Sequence, residues 1–398
     1  MNKLPDYIGV SAFGIKMGLV LPGSDIVEMV CESLAGCNRD GLLHDGDTIC
    51  LTESVVARSQ NNYVSTDDIA REITRKMQIG EDGRIGVVFP ILSRNRFSLV
   101  LKGIAMAVPR GEVLVQLSYP ADEVGNQLLP EDFAESVGKA NGDVIHINEL
   151  GDNRFLHPIT GVDYIQLYQN IIMSTGARPY VYLCNDPLKV AEFVPDGVIV
   201  ANVHGRFRTR SKLETVVSNC LTLQDLCSSI GNGAWSEWGL LGSNLSSGDR
   251  LKLAPREASE IALAIQRRVR EELGKNIEVV IYGDGAYCDP STGIYELADP
   301  QPAFGITPGL ENKYREGLKY KYLVDTLYQN GYSEPDIERI LLAKMKEHHS
   351  RDSFETEGTT PRKVEDIIAS LADLVSGSAD AGTPLVIVKG FLGSAHSR

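Results

Sequence analysis

Two apolar runs in this chain open directly into acids. Leu117-Ser118-Tyr119-Pro120 leads to Asp122, Glu123 and Asn126, and Ile277 to Tyr282 leads to Gly283, Asp284 and Gly285. Mg²⁺ and Mn²⁺ take carboxylate oxygens from a few protein groups and complete their shells with water and phosphate. Asp122 and Asp284, brought together from two strand ends, would suit such an ion. Acids and glycines also stand in strand-to-helix turns where no metal binds, so the pattern alone leaves both readings open.

Positive charge gathers in two places. Ser93-Arg94-Asn95-Arg96 follows a strand-like run, and two guanidinium groups so spaced can grip a carboxylate or phosphate in bidentate fashion. The same arginines could equally be surface charges offsetting nearby acids. Gly205-Arg206-Phe207-Arg208-Thr209-Arg210 raises the same pair of alternatives, and His204 beside it is either a general base or a structural loop residue. There is no GxxxxGK(S/T), and Gly231-Asn232-Gly233 lacks the rest of a dinucleotide fingerprint. Neither GxSxG nor HExxH occurs, which removes the common hydrolase and protease readings. The 7 cysteines are scattered without a CxxC pair, as expected of reduced thiols in a cytoplasmic protein.

These groups need elements to hold them. Asp25 and Glu28 have capping-box spacing before the apolar face Ile26, Met29, Val30 and Leu34, which predicts a helix. The pattern predicts a strand from Thr48 to Ala57, a helix from Asp67 to Met77, and strands at 85–90, 113–119 and 143–147. Helices are expected over 164–175 and 187–193, with strands at 180–184 and 197–203; that alternation suggests a βαβ unit. Gly231 to Gly248 reads as loop. A helix over 257–273, stopped by Gly274, leads into the strand 277–282. Two polar helices are expected between Glu311 and His348. A last helix has Thr360 as N-cap and Pro361 at its first position, and Pro384 to Val388 reads as a buried strand.

The chain has 398 residues, 43% hydrophobic and 23% charged, enough for a large core and more than one domain. Its net charge of −14 disfavours nucleic acid and anionic membrane as partners. The start, MNKLPDYIGV, shows no secretory signal and no apolar run reaches membrane-spanning length, so a cytoplasmic protein without membrane contact is expected.

Three stretches, in order, resemble the coenzyme F-420:γ-glutamyl ligase family. The first is Gly23 to Glu28, with Asp45-Gly46-Asp47 and Thr52 to Arg58. The second is Ala258 to Leu273 followed by Glu278 to Gly285. The third runs from Val364 to Gly390, with Asp366, Ala369, Ala372, Gly377, Gly382, Pro384 and the VIVKG strand in register. The resemblance implies a mixed α/β fold, an intertwined two-lobed ligase core. The core would be formed by 1–150, 257–305 and 356–398, with an inserted α/β segment at 151–256 and a helical insertion at 306–355.

It further implies a homodimer that joins L-glutamate to a small-molecule carboxylate acceptor, using GTP or ATP with Mg²⁺ or Mn²⁺. On that pattern Asp122, Asp284 and Gly285 stand at the metal positions, with the two acids catalytic. Thr52, Glu53, Arg58 and Asn126 would line the nucleotide site, and Gly377, Ser378 and Gly382 would lie against the phosphates. Ser93, Arg94 and Asn95 would meet the substrate. The sequence departs from the pattern where Gly285 replaces a Thr, Ser378 replaces an acid, and Asn126 is displaced by one residue; Glu123, Asp289 or Asp380 could compensate. The acceptor could be the deazaflavin or a folate-type pterin. A different amine or thiol could attack, or the lost groups could mark a non-catalytic nucleotide-binding homologue.

Overall fold

The structure is a computed structural model. It describes residues 7–151, 153–157, 160–229, 233–284, 287–288, 295–296, 299–315, 318–344, 355, 362–376 and 382–392. Two sheets organise it, as a mixed α/β fold. The first has the order β1 (Ser11–Ile15), β18 (Leu385–Lys389), β2 (Thr48–Thr52), β12 (Glu278–Tyr282), β15 (Ala303–Ile306). β2 and β12 run parallel and the other pairs antiparallel. Because strand side chains alternate, Ile49, Leu51, Val279, Ile281, Leu385 and Ile387 face helices α1 (Ile26–Arg39) and α8 (Ala258–Leu273). Cys50, Val280, Tyr282, Val386 and Val388 face α11 (Val364–Ser376) on the other side.

The second sheet has the order β6 (Ile145–His146), β7 (Arg178–Leu183), β5 (Glu112–Leu117), β4 (Arg84–Val88), β8 (Gly197–Val200), β9 (Cys220–Thr222). All of it is parallel except the edge strand β6. One face packs on α3 (Thr66–Met77), α4 (Ser98–Met106) and α6 (Tyr164–Met173), with the short helix α5 (Phe133–Ser136) beside them. The other packs on α7 (Arg206–Leu213) and the 3₁₀ turn Pro187–Phe193. The expected βαβ alternation is present, but this sheet cuts across position 150. β4 and β5 precede that boundary, and β7 to β9 follow it. A third, small sheet orders β10 (Asn244–Leu245), β11 (Arg250–Lys252) and β3 (Tyr63–Ser65), and buries Val64 and Leu251 in the core of the parallel sheet. Two further pairs are short: β13 (Tyr287–Cys288) with β14 (Tyr295–Glu296), and β16 (Tyr314–Arg315) with β17 (Arg362–Lys363).

Local signals fix several boundaries. Asp25 accepts from the Glu28 amide at 2.9 Å, and Ser65 and Asp68 close a full capping box on α3. Gly274 ends α8 at φ 65°. The expected strand Thr48–Ala57 divides, because the chain turns at Thr52 into helix α2 (Glu53–Ser59), which buries Val56 and Ala57. Of the two polar helices, α9 (Tyr320–Gln329) begins later than Glu311, whereas α10 (Glu334–Lys344) starts directly after Ser333, beyond a break at Gly331; they pack around Leu323, Ile337 and Leu341. The last helix also starts late, at Val364, with β17 ahead of it; its expected caps Thr360 and Pro361 lie outside the described residues. Among the described residues no helix is long and apolar enough to cross a membrane.

Candidate functional site

β1, β2 and β12 end, and β15 and β18 begin, at the same end of the mixed sheet. A cavity of about 730 Å³ opens there. Its walls are the segment Met17–Val20 after β1, Thr52 to Val55 and Arg58 on α2, and Tyr282 to Asp284 beyond β12. Asp373 and Ser376 from the end of α11, Gly382 to Pro384, and Asn244 complete it. Thr52, Glu53, Arg58, Asp284 and Gly382, singled out in the sequence, therefore meet at one cavity. Gly285, Gly377 and Ser378, like the compensating candidates Asp289 and Asp380, lie outside the described residues.

Beneath the cavity is a cluster of charges. Arg96, whose side chain is 11% exposed, donates from Nη1 to Asp299 Oδ1 at 2.5 Å and from Nη2 to Asp284 Oδ2. Asp299, 1% exposed, also accepts the Asp284 amide at 2.8 Å. Two glycines leave it room: a Cβ on Gly283 would lie 2.5 Å from Asp299 Oδ2, and one on Gly242 3.5 Å from Oδ1. Next to this pair the buried Glu53 takes the ammonium of Lys252 on both oxygens. Tyr282 closes the floor through a hydroxyl contact with Ser376.

Burial pushes the Asp284 carboxyl up to about 7; Asp299, Asp373 and Glu53 add to the rise, and Arg96 opposes it. Burial raises Glu53 as well, against the pull of Lys252, with Asp299 adding and Arg96 opposing. Four acids, Glu53, Asp284, Asp299 and Asp373, thus share one neighbourhood with two cations. The excess negative charge and hard oxygen donors suit Mg²⁺ or Mn²⁺. Asp284 and Asp373 both line the cavity. Among the described residues no three of His, Cys, Asp and Glu converge as a complete ligand set. Such an ion would therefore draw the rest of its shell from phosphate and water, which is common for Mg²⁺.

Asp122 stands elsewhere. It follows β5 in the parallel sheet, and its oxygens accept from the Leu92 amide at 2.8 Å, the Asn126 amide at 2.8 Å and Asn126 Nδ2 at 2.9 Å. Burial raises its carboxyl, and these hydrogen bonds oppose the rise. Asp122 is not among the residues that line the cavity with Asp284, and its hydrogen bonds close the 122–126 turn and brace the loop before Arg96. Glu123 is likewise engaged, by the amides of His204 at 2.9 Å and Gly205 at 2.5 Å and by that of Val203. Ser93 caps the Arg96 amide at 3.2 Å, and the Asn95 carbonyl accepts from Leu245 at 2.8 Å. Arg94 is exposed on the same loop.

Sequence reasoning missed Asp299, Asp373 and Lys252 and undervalued Arg96. Asp373 carried a signal: it shares the buried face of α11 with Ala369, Ala372 and Ser376. Lys252 carried another, an ammonium between the buried Leu251 and Leu253.

The family model described as F420-0:Gamma-glutamyl ligase matches residues 14–390 of the chain. No curated protein matches it.

Proposed function

The chain belongs to the F420-0:gamma-glutamyl ligase family, and from that premise we propose that the cavity at the end of the mixed sheet joins L-glutamate to a carboxylate acceptor through an acyl phosphate. The acceptor carboxylate attacks the γ-phosphorus of GTP or ATP, and the nucleoside diphosphate leaves. The glutamate amine then attacks the acyl carbon, inorganic phosphate leaves, the nitrogen gives up a proton, and the amide remains. The observation carrying this reading is the convergence of Asp284, Asp373, Thr52 and Arg58 on one cavity above an acid-rich floor.

Arg58 is exposed at the cavity wall and makes no ion pair among the described residues. In this reading it meets the nucleotide phosphates, with the Gly382 segment alongside. Asp284 and Asp373 would hold the Mg²⁺ or Mn²⁺ ion, which would offset charge on the transferring phosphoryl group. Ser93, Arg94 and Asn95 lie on the loop that delivers Arg96 and would take the acceptor. A homodimer belongs to the same reading: β1 is an edge strand, and the exposed Tyr7, Leu19 and Leu21 flank it. So does a cytoplasmic location, where the buried free thiols described would stay reduced.

Thermal midpoints with GTP, ATP or neither, each with and without Mn²⁺, test the reading, since a ligand that binds the folded state raises its midpoint. A metal-dependent rise with one nucleotide is expected. Asp284→Ala should then abolish nucleotide turnover while leaving the fold intact. No rise with either nucleotide would favour the non-catalytic alternative.

A further inference from the structure

All four acids of the floor belong to the mixed-sheet half of the molecule: Glu53 opens α2, Asp284 and Asp299 flank the β12–β15 connection, and Asp373 lies on α11. Both cations come from the other half. Arg96 sits on the connection between β4 and α4, and Lys252 on β11, whose neighbours Leu251 and Leu253 pack in the core of the parallel sheet.

We propose that Arg96 is a positioning residue for the ligase reaction, a guanidinium fork from the parallel-sheet half that holds the Asp284 carboxylate against Asp299 at the cavity floor. The inference rests on the ligase reading of the cavity and adds the residue that orients its central acid. A fork is required by the geometry: one arm meets Asp299 at 2.5 Å while the other meets Asp284. Asp299 is itself fixed by the Asp284 amide at 2.8 Å, so the three groups close a ring. Arg96 takes Oδ2 of Asp284, a side chain still 37% exposed, which leaves Oδ1 for the cavity. Lysine, a single point charge, cannot span both acids as a planar fork does.

The loop bearing Arg96 is pinned on several sides. Asp122 accepts from Leu92 at 2.8 Å, and the Tyr168 hydroxyl donates to the Ile91 carbonyl at 2.9 Å. The Leu245 amide donates to Asn95 at 2.8 Å, and Ser93 Oγ accepts the Arg96 amide at 3.2 Å. A guanidinium held this way locates the acid at little cost in side-chain order at the moment of reaction.

The test compares steady-state ligation by the wild type, Arg96→Lys and Arg96→Ala, using GTP and ATP with Mn²⁺. In Arg96→Lys, kcat should fall roughly tenfold with the nucleotide KM little changed, and in Arg96→Ala roughly a hundredfold, the scale of an ångström-level misplacement. Guanidinium ion at non-denaturing concentration should restore part of the Arg96→Ala activity, whereas equal ammonium should not. If the alanine variant fails to fold, the lysine variant decides. Wild-type kcat in Arg96→Lys, or a folded Arg96→Ala without guanidinium rescue, would overturn the positioning role while leaving the ligase reading intact. A wild type without turnover on either nucleotide would overturn both.

Discussion

Both carboxylate oxygens of Glu53 face one donor, the ammonium of Lys252, at 2.7 and 2.8 Å. Both side chains are buried, so each is the other's replacement for water. Removing one partner strands the other. Lys252→Met should cost about 3–5 kcal/mol in urea unfolding. Glu53→Gln combined with Lys252→Met should recover most of that loss, because no uncompensated charge remains. A double variant as unstable as Lys252→Met would show that the loss is one of packing.

Asp122 offers a test of what holds the Arg96 loop. Asp122→Asn turns one acceptor into a donor, set against the Leu92 amide if it replaces Oδ2 or the Asn126 amide if it replaces Oδ1, at a cost of about 1–3 kcal/mol. The Mn²⁺-dependent rise in thermal midpoint with nucleotide should persist. If that rise disappeared while unfolding free energy stayed at the wild-type value, Asp122 would be a ligand of the ion.

Gly283 should not tolerate a methyl group. An alanine Cβ there would lie 2.4 Å from Phe304 Cε2 and 2.5 Å from Asp299 Oδ2, closer than packed atoms allow. Gly283→Ala is expected to lose about 1–3 kcal/mol of stability. It should also lose turnover, because Asp299 must leave its place under Arg96. Unchanged turnover would separate Asp299 from the site's function.

Glu365, near the start of α11, is buried, its Oε2 has no hydrogen-bond partner among the described residues, and burial raises its carboxyl above the ordinary range. A carboxyl with a higher pKa folded than unfolded favours the folded state fully only below its unfolded value, and that contribution is lost as pH rises through the folded one. Glu365→Gln removes this dependence. Its thermal midpoint minus that of the wild type should be smallest near about pH 4 and grow toward about pH 8. A difference that is flat or shrinks over that range would contradict the assignment.

Much of the scaffold could be read from local chemistry. Asp25, Ser65 with Asp68, and Gly274 mark helix ends by side-chain or backbone rules that act over a few residues. Asp284 could be placed at a strand end for the same reason. The strand predicted through Ala57 failed locally: Val55 and Val56 suit a strand, yet burial of Val56 and Ala57 is satisfied by one helical turn. What could not be read was pairing over long separations. Arg96 and Asp284 are 188 residues apart, and Glu53 and Lys252 are 199 apart. No periodicity encodes which of 39 basic and 53 acidic residues will meet. Asp122 and Asp284 look alike as acids after strands, but their strands lie in different sheets, which only the topology reveals.

The division of the floor into acids from one half and cations from the other makes the floor a joint product of both. Arg96 and Lys252 supply the positive charge that offsets Asp284, Asp299 and Glu53. Like charges gathered there without them would repel. The floor is therefore complete only where the loop after β4 and the strand β11 meet the mixed sheet.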